Sequence, residues 1–278
     1  MFEIIKVDEL SAGVKSFELK APRIAKKCQP GQFIILRIDE DGERIPLTIA
    51  DFNRTSGTIT LIFQEVGHTT RKLGAMRVGE SLLDLVGPLG IATEIENFGT
   101  VVCVGGGIGV APVYPIARAY KEAGNKVVSI IGARNADLLI MEKQMREVSD
   151  ILHITTDDGS AGRKGLVIDP LKDMMAAGER IDRVMAIGPM IMMKSVSEVT
   201  KPAGIHTLVS LNPIMVDGTG MCGGCRCSVG GETKFACVDG PEFDGHAVDF
   251  VGLMARAKMY HEQERRERTC KGDGSCHQ

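Results

Sequence analysis

The sequence predicts three consecutive parts: an antiparallel β-barrel, an α/β domain with a parallel sheet, and a small C-terminal domain rich in glycine and cysteine. Short runs that alternate apolar and polar residues fill residues 1–97, as in half-buried strands. From 98 to 212, apolar strands alternate with helices, which indicates a parallel sheet covered on both faces. Residues 213–250 show little periodicity, and 251–278 are expected to form a charged helical tail suited to docking on a partner or on the body of this chain.

The composition is that of a globular protein, with 44% hydrophobic and 25% charged residues among 278. The net charge of −3 gives no reason to expect nucleic acid as a partner. No apolar run approaches the ~20 residues of a membrane span, and the N-terminus lacks a signal-peptide pattern. We therefore expect a cytoplasmic protein with no membrane contact, whose eight cysteines more readily hold metal than form disulfides.

The predicted barrel depends on four alternating runs: FEIIKV, KSFELKA, QFIILRI and TITLIFQEV. The turn-forming sequences PGQ, DEDGE and SGT separate or flank them. Strands this short, with turns at this spacing, favour a small antiparallel barrel.

A glycine cluster follows the first strand of the α/β domain, in VCVGGGIGVAPVYP. Glycines between a buried strand and a helix let the backbone approach a pyrophosphate, and the helix N-terminus offers free N–H groups. The alternative is a tight turn that serves only close packing. The predicted nucleotide loop consists of Gly105, Gly106, Gly107, Ile108, Gly109, Ala111 and Pro112.

Two further strand ends are expected to reach the same nucleotide. Asp157 and Asp158 end the third strand, where a carboxylate accepts a hydrogen bond from a ribose hydroxyl and repels a 2′-phosphate, so NAD(H) is favoured over NADP(H). Arg134 at the end of the second strand argues the other way. The turn Gly188–Pro189–Met190 leaves the fourth strand, where a nicotinamide would reach.

The C-terminal cysteines keep an iron–sulfur spacing with one replacement. Asp217, Cys222, Cys225 and Cys237 follow the C-x4-C-x2-C…C pattern of a [2Fe–2S] site, with aspartate in the first position. Structural zinc on the same residues is the main alternative. Cys227 is expected to be a packing residue rather than a ligand.

These motifs together resemble the ferredoxin–NADP reductase superfamily. The resemblance covers about residues 1–250 and is carried by IPLTIAD, VGHTT, GPLG, GGGIGVAP, TTDDGSAGRKG, IGPMIMMKSV and the cysteine segment. The chain is most similar to the branch with FAD and a [2Fe–2S] cluster, which includes the electron-transfer subunits of dihydroorotate dehydrogenase. Asp217 and the terminal extension are similar to the small subunits of NADH-dependent reduced ferredoxin:NADP⁺ oxidoreductases.

The resemblance implies a ferredoxin reductase-like fold with FAD between barrel and sheet, and it assigns cofactor residues. The residues implied for FAD are Pro46, Leu47 and Thr48 at the ring system, Phe63, Gln64 and Val66 at the ribityl chain, and Gly67, His68, Thr69 and Thr70 at the pyrophosphate. The family's flavin motif, Arg-x-x-Ser/Thr, is broken because Ile45 stands where arginine is expected; Arg44 or Arg71 would have to serve instead.

By the same resemblance the chain is an enzyme subunit that passes electrons between NAD(H), FAD and the cluster. The implied partner is a larger flavin and iron–sulfur subunit linked to NADPH and ferredoxin in an electron-bifurcating complex. Catalysis needs no protein group beyond the cofactors. The alternatives are the electron-transfer subunit of dihydroorotate dehydrogenase and, in another class, a non-catalytic nucleotide-binding module with structural zinc.

Overall fold

The computed structural model describes residues 1–259 of the chain. The predicted tail is described as far as Met259. Tyr260, expected on the apolar face of the tail helix, lies outside the described residues, as do Cys270 and Cys276, expected to face a partner or to be free rather than to bind the cluster. Among the described helices, none is both long and apolar enough to cross a membrane.

The N-terminal part is a near-closed antiparallel barrel. Its strands are β1 Phe2–Ser11, β2 Val14–Lys20, β3 Phe33–Arg37, β4 Ile45–Asn53, β5 Thr58–Gln64, β6 Ser81–Leu82 and β7 Asp84–Leu89, with helices α1 Pro22–Lys27 and α2 His68–Gly74. They are ordered β6-β1-β2-β5-β4-β3-β7. Phe17 and Phe63 meet edge to face inside the barrel, with ring centroids 5.1 Å apart. Each is almost fully buried, which stabilises the fold by about 2 kcal/mol per side chain.

Strand β4 divides its side chains between the barrel core and the neighbouring part of the molecule. Ile45 and Leu47 pack against the barrel core. Side chains along a strand alternate between its two faces, so Pro46 and Thr48 lie on the other face. Thr48 pairs with Phe33 of β3, whose ring belongs to the core shared with the parallel sheet. The alternation therefore turns Pro46 and Thr48 away from the barrel interior.

The central part is a parallel sheet with helices on its faces. Its elements are β8 Thr100–Gly106, α3 Val110–Glu122, β9 Lys126–Ala133, α4 Glu142–Val148, β10 Ile151–Thr156, β11 Arg163–Lys164, α5 Ile168–Ala176, β12 Arg183–Ile187, α6 Met190–Thr200 and β13 His206–Ser210. Successive residues of β8 enter different cores: Val102 and Val104 enter one, Val101 and Cys103 the other. The run is apolar throughout because both faces are buried. Cys103 is fully buried, as predicted for a small core residue.

The C-terminal part is joined to this sheet by a strand. It contains a hairpin of β14 Arg226–Val229 and β15 Glu232–Phe235, then β16 Glu242–Asp244 and helix α7 Phe250–Ala257. β16 pairs antiparallel with β13, so the second sheet has the order β11-β10-β9-β8-β12-β13-β16. Phe243 and Leu253 lie in one core with Cys225 and Cys237. The cysteine segment is therefore packed against the nucleotide-binding sheet.

The predicted fold class is confirmed, and the differences lie in short elements. The sequence did not indicate α1, β6, β7, β11, β14, β15 or β16, each of at most six residues. The helix expected from 137 to 149 is a short 3₁₀ turn followed by α4 from Glu142 to Val148. The predicted boundaries at 97, 212 and 250 stay predictions.

Candidate functional site

A cavity of about 810 Å³ lies between the outer face of β4 and the carboxyl ends of the parallel strands. Its volume is toward the upper end of the ~300–1,000 Å³ typical of ligand pockets. The predicted cofactor residues that line it are Pro46, Leu47, Thr48, Phe63, Gln64, Val66, Thr70, Gly106, Gly107, Ile108, Gly109, Ala111, Pro112, Arg134, Asp157, Gly188 and Pro189. The predicted residues absent from its described lining are Gly67, His68, Thr69, Gly105, Asp158 and Met190.

The nucleotide loop is held by close backbone packing. A Cβ atom at Gly109 would lie 2.2 Å from the carbonyl oxygen of Ile187, so only glycine lets α3 begin this close to β12. Gly107 has a φ of +56° and open space where its Cβ would be. It borders the cavity, so the backbone there is accessible to a ligand. This is the close approach that a pyrophosphate requires.

The two aspartates after β10 have different surroundings. Asp158 accepts hydrogen bonds from the backbone and the hydroxyl of Ser160, at 2.9 and 2.6 Å, and these bonds lower the pKa of its carboxyl. Ser160 in turn accepts a bond from the backbone N–H of Ala136, which ties this turn to the loop after β9. Asp157 and Arg134 instead border the cavity with exposed side chains. Asp158 thus shapes the turn, and Asp157 is the carboxylate available to a ligand.

The barrel contributes one wall of the cavity and the start of α2. The hydroxyl of Thr70 accepts hydrogen bonds from the backbone N–H groups of Val66 and Gly67, both at 3.0 Å. This caps the first turn of the helix and fixes the loop beside the cavity. Thr69 points elsewhere, because its buried hydroxyl donates to the carboxylate of Glu43.

The expected flavin arginine has no counterpart on the cavity wall. Arg44 and Arg71 are both exposed, and neither lies in the described lining. The side chain of Arg71 donates to the carbonyl of Val66 at 3.5 Å, which places it next to the same loop. His68 is exposed at the first residue of α2. The roles of these side chains toward FAD stay predictions.

The cysteine segment brings two of its predicted ligands into contact. The sulfur atoms of Cys225 and Cys237 lie 3.2 Å apart, and both residues are buried. Burial, together with the contact from Cys225, raises the pKa of the Cys237 thiol to about 12. Cys222 is exposed on the loop, where its sulfur accepts the N–H of Gly224 at 3.4 Å. Within residues 1–259, no three cysteine, histidine or acidic side chains stand in metal-binding geometry.

Asp217 is engaged by its own loop. Its two carboxylate oxygens accept hydrogen bonds from the backbone N–H groups of Thr219, Met221 and Cys222 at 2.9–3.1 Å. The bonds from Thr219 and Cys222 lower the pKa of the carboxyl. The ionised side chain therefore folds the loop that carries Cys222. Three thiols and one carboxylate, gathered around glycine turns, fit the donor set of a [2Fe–2S] cluster.

Cys227 behaves as a packing residue. Its thiol is buried and donates to the carbonyl of Lys234 across the β14–β15 hairpin at 3.6 Å. Burial raises the pKa of this thiol to about 11.

A half-buried carboxylic acid lies where the three parts meet, next to the cavity. Glu242 of β16 accepts a hydrogen bond of 2.5 Å from the hydroxyl of Thr93, which lies between the barrel and the parallel sheet. Burial raises the pKa of Glu242 to about 7, although Thr93 and the charge of Arg183 act in the opposite direction. A Cβ at Gly31 of the barrel would lie 2.6 Å from the same carboxyl. Pro241, the residue before Glu242, borders the cavity.

Comparisons with known proteins place these features in a family. Residues 212–249 match the iron–sulfur cluster binding domain of dihydroorotate dehydrogenase B. Residues 103–198 match an oxidoreductase NAD-binding domain. The two matches coincide with the cysteine segment and with the strands and loops on the nucleotide side of the cavity.

Individual proteins are similar over nearly the whole chain. The dihydroorotate dehydrogenase B electron transfer subunit homolog of Thermotoga maritima is 49% identical, covering 95% of this chain and 93% of that protein. A solved structure of NADH-dependent reduced ferredoxin-NADP oxidoreductase, studied for flavin-based electron bifurcation, aligns with a TM-score of 0.91 at 48% identity, over 97% and 98% of the two chains. Phthalate dioxygenase reductase aligns with a TM-score of 0.61 at 16% identity, over 82% and 85%, and shows the fold alone.

The fold and the site define a ferredoxin reductase-like oxidoreductase subunit that binds NAD(H) and an iron–sulfur cluster on a flavin reductase fold. Within that class, the chain belongs to the family of dihydroorotate dehydrogenase B electron transfer subunits and their homologues. The predicted resemblance is confirmed, and the iron–sulfur description of residues 212–249 argues against structural zinc.

Several residues that line the cavity were not predicted. The run of methionines in IGPMIMMKSV favours core packing, yet Met192 borders the cavity and packs against Gly106 and Gly188. Its position two residues into α6 could have indicated this, because the preceding turn was already assigned to the nucleotide. The other unpredicted lining residues are Val14, Phe33, Ile62, Gly132, Ala133, Leu138, Ile140, Thr155, Leu166, Val167, Ile168, Ile187, Ile191, Ser195, Ser210, Leu211, Asn212, Met215 and Pro241.

Proposed function

We propose that this chain is the NAD(H)-side subunit of an electron-bifurcating NADH-dependent ferredoxin:NADP⁺ oxidoreductase. It passes electrons between NAD(H), FAD and a [2Fe–2S] cluster to a larger flavin and iron–sulfur subunit that handles NADPH and ferredoxin. One observation carries the proposal: a single cavity is bordered by the barrel, by the nucleotide loop, and by Met215 and Pro241 of the cysteine segment. The 48% identity to the NADH-dependent oxidoreductase chain over nearly its whole length supports the bifurcating class.

The residues on the barrel side suit a flavin ring. Pro46 and Leu47 offer apolar surface, and Thr48 adds a hydroxyl, all on the cavity wall. Bound there, FAD would exchange two electrons with NAD(H) and single electrons with the cluster. The chain itself excludes water with the apolar wall and orients the nucleotide through Gly107 and Gly109. No protein acid or base is assigned to hydride transfer.

The cluster is assigned to Asp217, Cys222, Cys225 and Cys237. The contact between Cys225 and Cys237 supports two of the ligands, and the loop between Asp217 and Cys222 holds the other two. For that loop to bind iron, the Asp217 carboxylate must exchange backbone hydrogen bonds for a metal bond. A carboxylate is a harder ligand than a thiolate and favours ferric over ferrous iron.

The preference for NAD(H) is assigned to Asp157. Its carboxylate borders the cavity without the hydrogen bonds that occupy Asp158, so it is placed to accept from a ribose hydroxyl and to repel a 2′-phosphate. Arg134 at the same rim is then left to contact the adenine rather than a phosphate.

A second candidate is the electron-transfer subunit of a dihydroorotate dehydrogenase. The family model over residues 212–249 favours it. Asp217 argues against it, because it stands where the C-x4-C spacing calls for cysteine. Co-purification distinguishes the two: one partner oxidises dihydroorotate, and the other oxidises NADPH.

The test is an anaerobic visible spectrum of the purified full chain, with iron and flavin counted per polypeptide, followed by titration with NADH and separately with NADPH. The stoichiometry expected from one [2Fe–2S] cluster is about two irons with one FAD. NADH should bleach the flavin and cluster bands at a lower concentration than NADPH. A colourless protein contradicts the cofactor assignment. A protein that both nucleotides reduce equally well contradicts the role of Asp157.

A further inference from the structure

Two arginine side chains bind consecutive carbonyl groups of the cluster loop. Arg226 donates from Nη1 to the carbonyl of Gly223 at 3.3 Å. Arg256 donates from Nη2 to the carbonyl of Gly224 at 3.2 Å. Both glycines lie between Cys222 and Cys225. The two arginines therefore hold the short segment between two predicted ligands by its carbonyl oxygens.

The opposite side of the Gly223–Gly224 peptide group faces sulfur. In a trans peptide the C=O and the following N–H point in opposite directions. An arginine on the Gly223 carbonyl therefore aims the N–H of Gly224 away from itself, and that N–H donates to the sulfur of Cys222 at 3.4 Å. A hydrogen bond to the carbonyl polarises the peptide and strengthens its N–H as a donor. Arg256 holds the carbonyl of the next peptide group, whose N–H belongs to Cys225.

Arg256 comes from outside the segment that the family model describes. It lies on α7, which begins at Phe250, one residue after the matched range 212–249 ends. Phe250 and Leu253 anchor this helix in the core that also contains Cys225. The carboxylate of Asp249 caps its first turn by accepting the N–H of Gly252 at 3.0 Å. The helix is therefore fixed against the cluster domain, and Arg256 is held where it meets the loop.

We propose that Arg256 is a positioning residue for the [2Fe–2S] cluster: it holds the carbonyl of Gly224, the residue before the predicted ligand Cys225, and its charge favours the reduced cluster. The inference rests on the proposed ligand set. Reduction adds one electron, and a nearby cation stabilises the more negative state. Partial burial of Arg256 limits the screening of its charge by water and salt, whereas Arg226 is exposed and contributes less.

The experiment measures the cluster's midpoint potential by an anaerobic redox titration of the full chain, followed by electron paramagnetic resonance. Three variants are compared with the wild type: Arg256→Met, Arg256→Lys and the matched control Lys258→Met, which removes an exposed positive charge from the residue after the same helix. Met keeps the apolar stem of arginine. Lys keeps the charge but loses the planar fork.

The expected order of midpoint potentials is wild type equal to Lys258→Met, then Arg256→Lys, then Arg256→Met as the lowest. Arg256→Met with wild-type iron content and an unchanged potential overturns the proposal. If Arg256→Met assembles no cluster, Arg256→Lys decides: an unshifted potential and full iron content in that variant overturn it. A wild-type chain with no [2Fe–2S] signal overturns the ligand assignment itself, whereas a normal wild-type signal with unresponsive variants overturns only the role of Arg256.

Discussion

The nucleotide loop at 105–112 and the cluster loop at 217–225 are both rich in glycine, yet they are held in different ways. The nucleotide loop connects β8 to α3, and its shape follows from backbone packing, most tightly where Gly109 meets the Ile187 carbonyl. The cluster loop contains no strand or helix, and side chains hold it: the Asp217 carboxylate on one side and two arginines on the other. The first loop is a preformed binding surface. The second depends on groups that a metal centre must partly displace.

Replacing Cys225 by serine should produce the largest effect of the changes considered, confined to the cluster loop. Serine is a poor ligand for iron, so iron per chain should fall to near zero while NADH still reduces the bound flavin. Iron analysis and anaerobic reduction with NADH measure the two properties. Cys227→Ser is the matched control and should keep its iron. Equal loss of iron in both variants would contradict the ligand assignment.

Replacing Gly109 by alanine tests the nucleotide loop. The new methyl group would lie 2.2 Å from a backbone oxygen, and overpacking of this kind typically costs about 1–3 kcal/mol. If that cost falls on the nucleotide-binding conformation, the KM for NADH should rise about 10- to 100-fold. Iron content should not change. Glu122→Ala, an exposed change at the other end of α3, serves as the control. Unchanged NADH kinetics with an intact fold would show that this packing does not set the loop's shape.

Glu242 lies on β16, the strand that joins the cysteine segment to the nucleotide-binding sheet, and its replacement by glutamine should change the pH dependence of stability. Burial raises the pKa of Glu242 from 4.5 to about 7, so the folded chain holds its proton more tightly than the unfolded chain does. The free energy of unfolding should therefore fall as pH rises from about 4.5 to 7 and level off above that. Over this range the group can change stability by at most about 3 kcal/mol.

Urea unfolding between pH 5 and pH 8 measures this effect. Glu242→Gln should lose less stability than the wild type as the pH rises, because the amide cannot ionise and can still accept from Thr93. Glu96→Gln, at an exposed carboxylate, should follow the wild type. Parallel curves for all three proteins would contradict a half-buried acid that titrates near neutrality.

The sequence predicted best the features that depend on local pattern. Alternation of apolar residues placed β1, β2, β3 and β5 correctly, and the run TVVCVGGG predicts a buried strand followed by a glycine turn, with Cys103 in the core. The different surroundings of Asp157 and Asp158 could not be predicted, because they depend on Ser160 and on the loop after β9. The contact of Arg256 with the cluster loop could not be predicted either. Arg256 is separated from Gly224 by 32 positions, and only the packing of α7 brings the two together.

The pairing of β16 with β13 has a mechanical consequence. Hydrogen bonds across these strands join the cysteine segment to the nucleotide-binding sheet as one continuous sheet. In it, Leu208 pairs with Asp244 and Ser210 pairs with Glu242. The distance between the nucleotide loop and the cysteines is thus set by the strands of one sheet. Thr93, in the segment between the barrel and the parallel sheet, is tied to the same unit because its hydroxyl donates to Glu242 of β16.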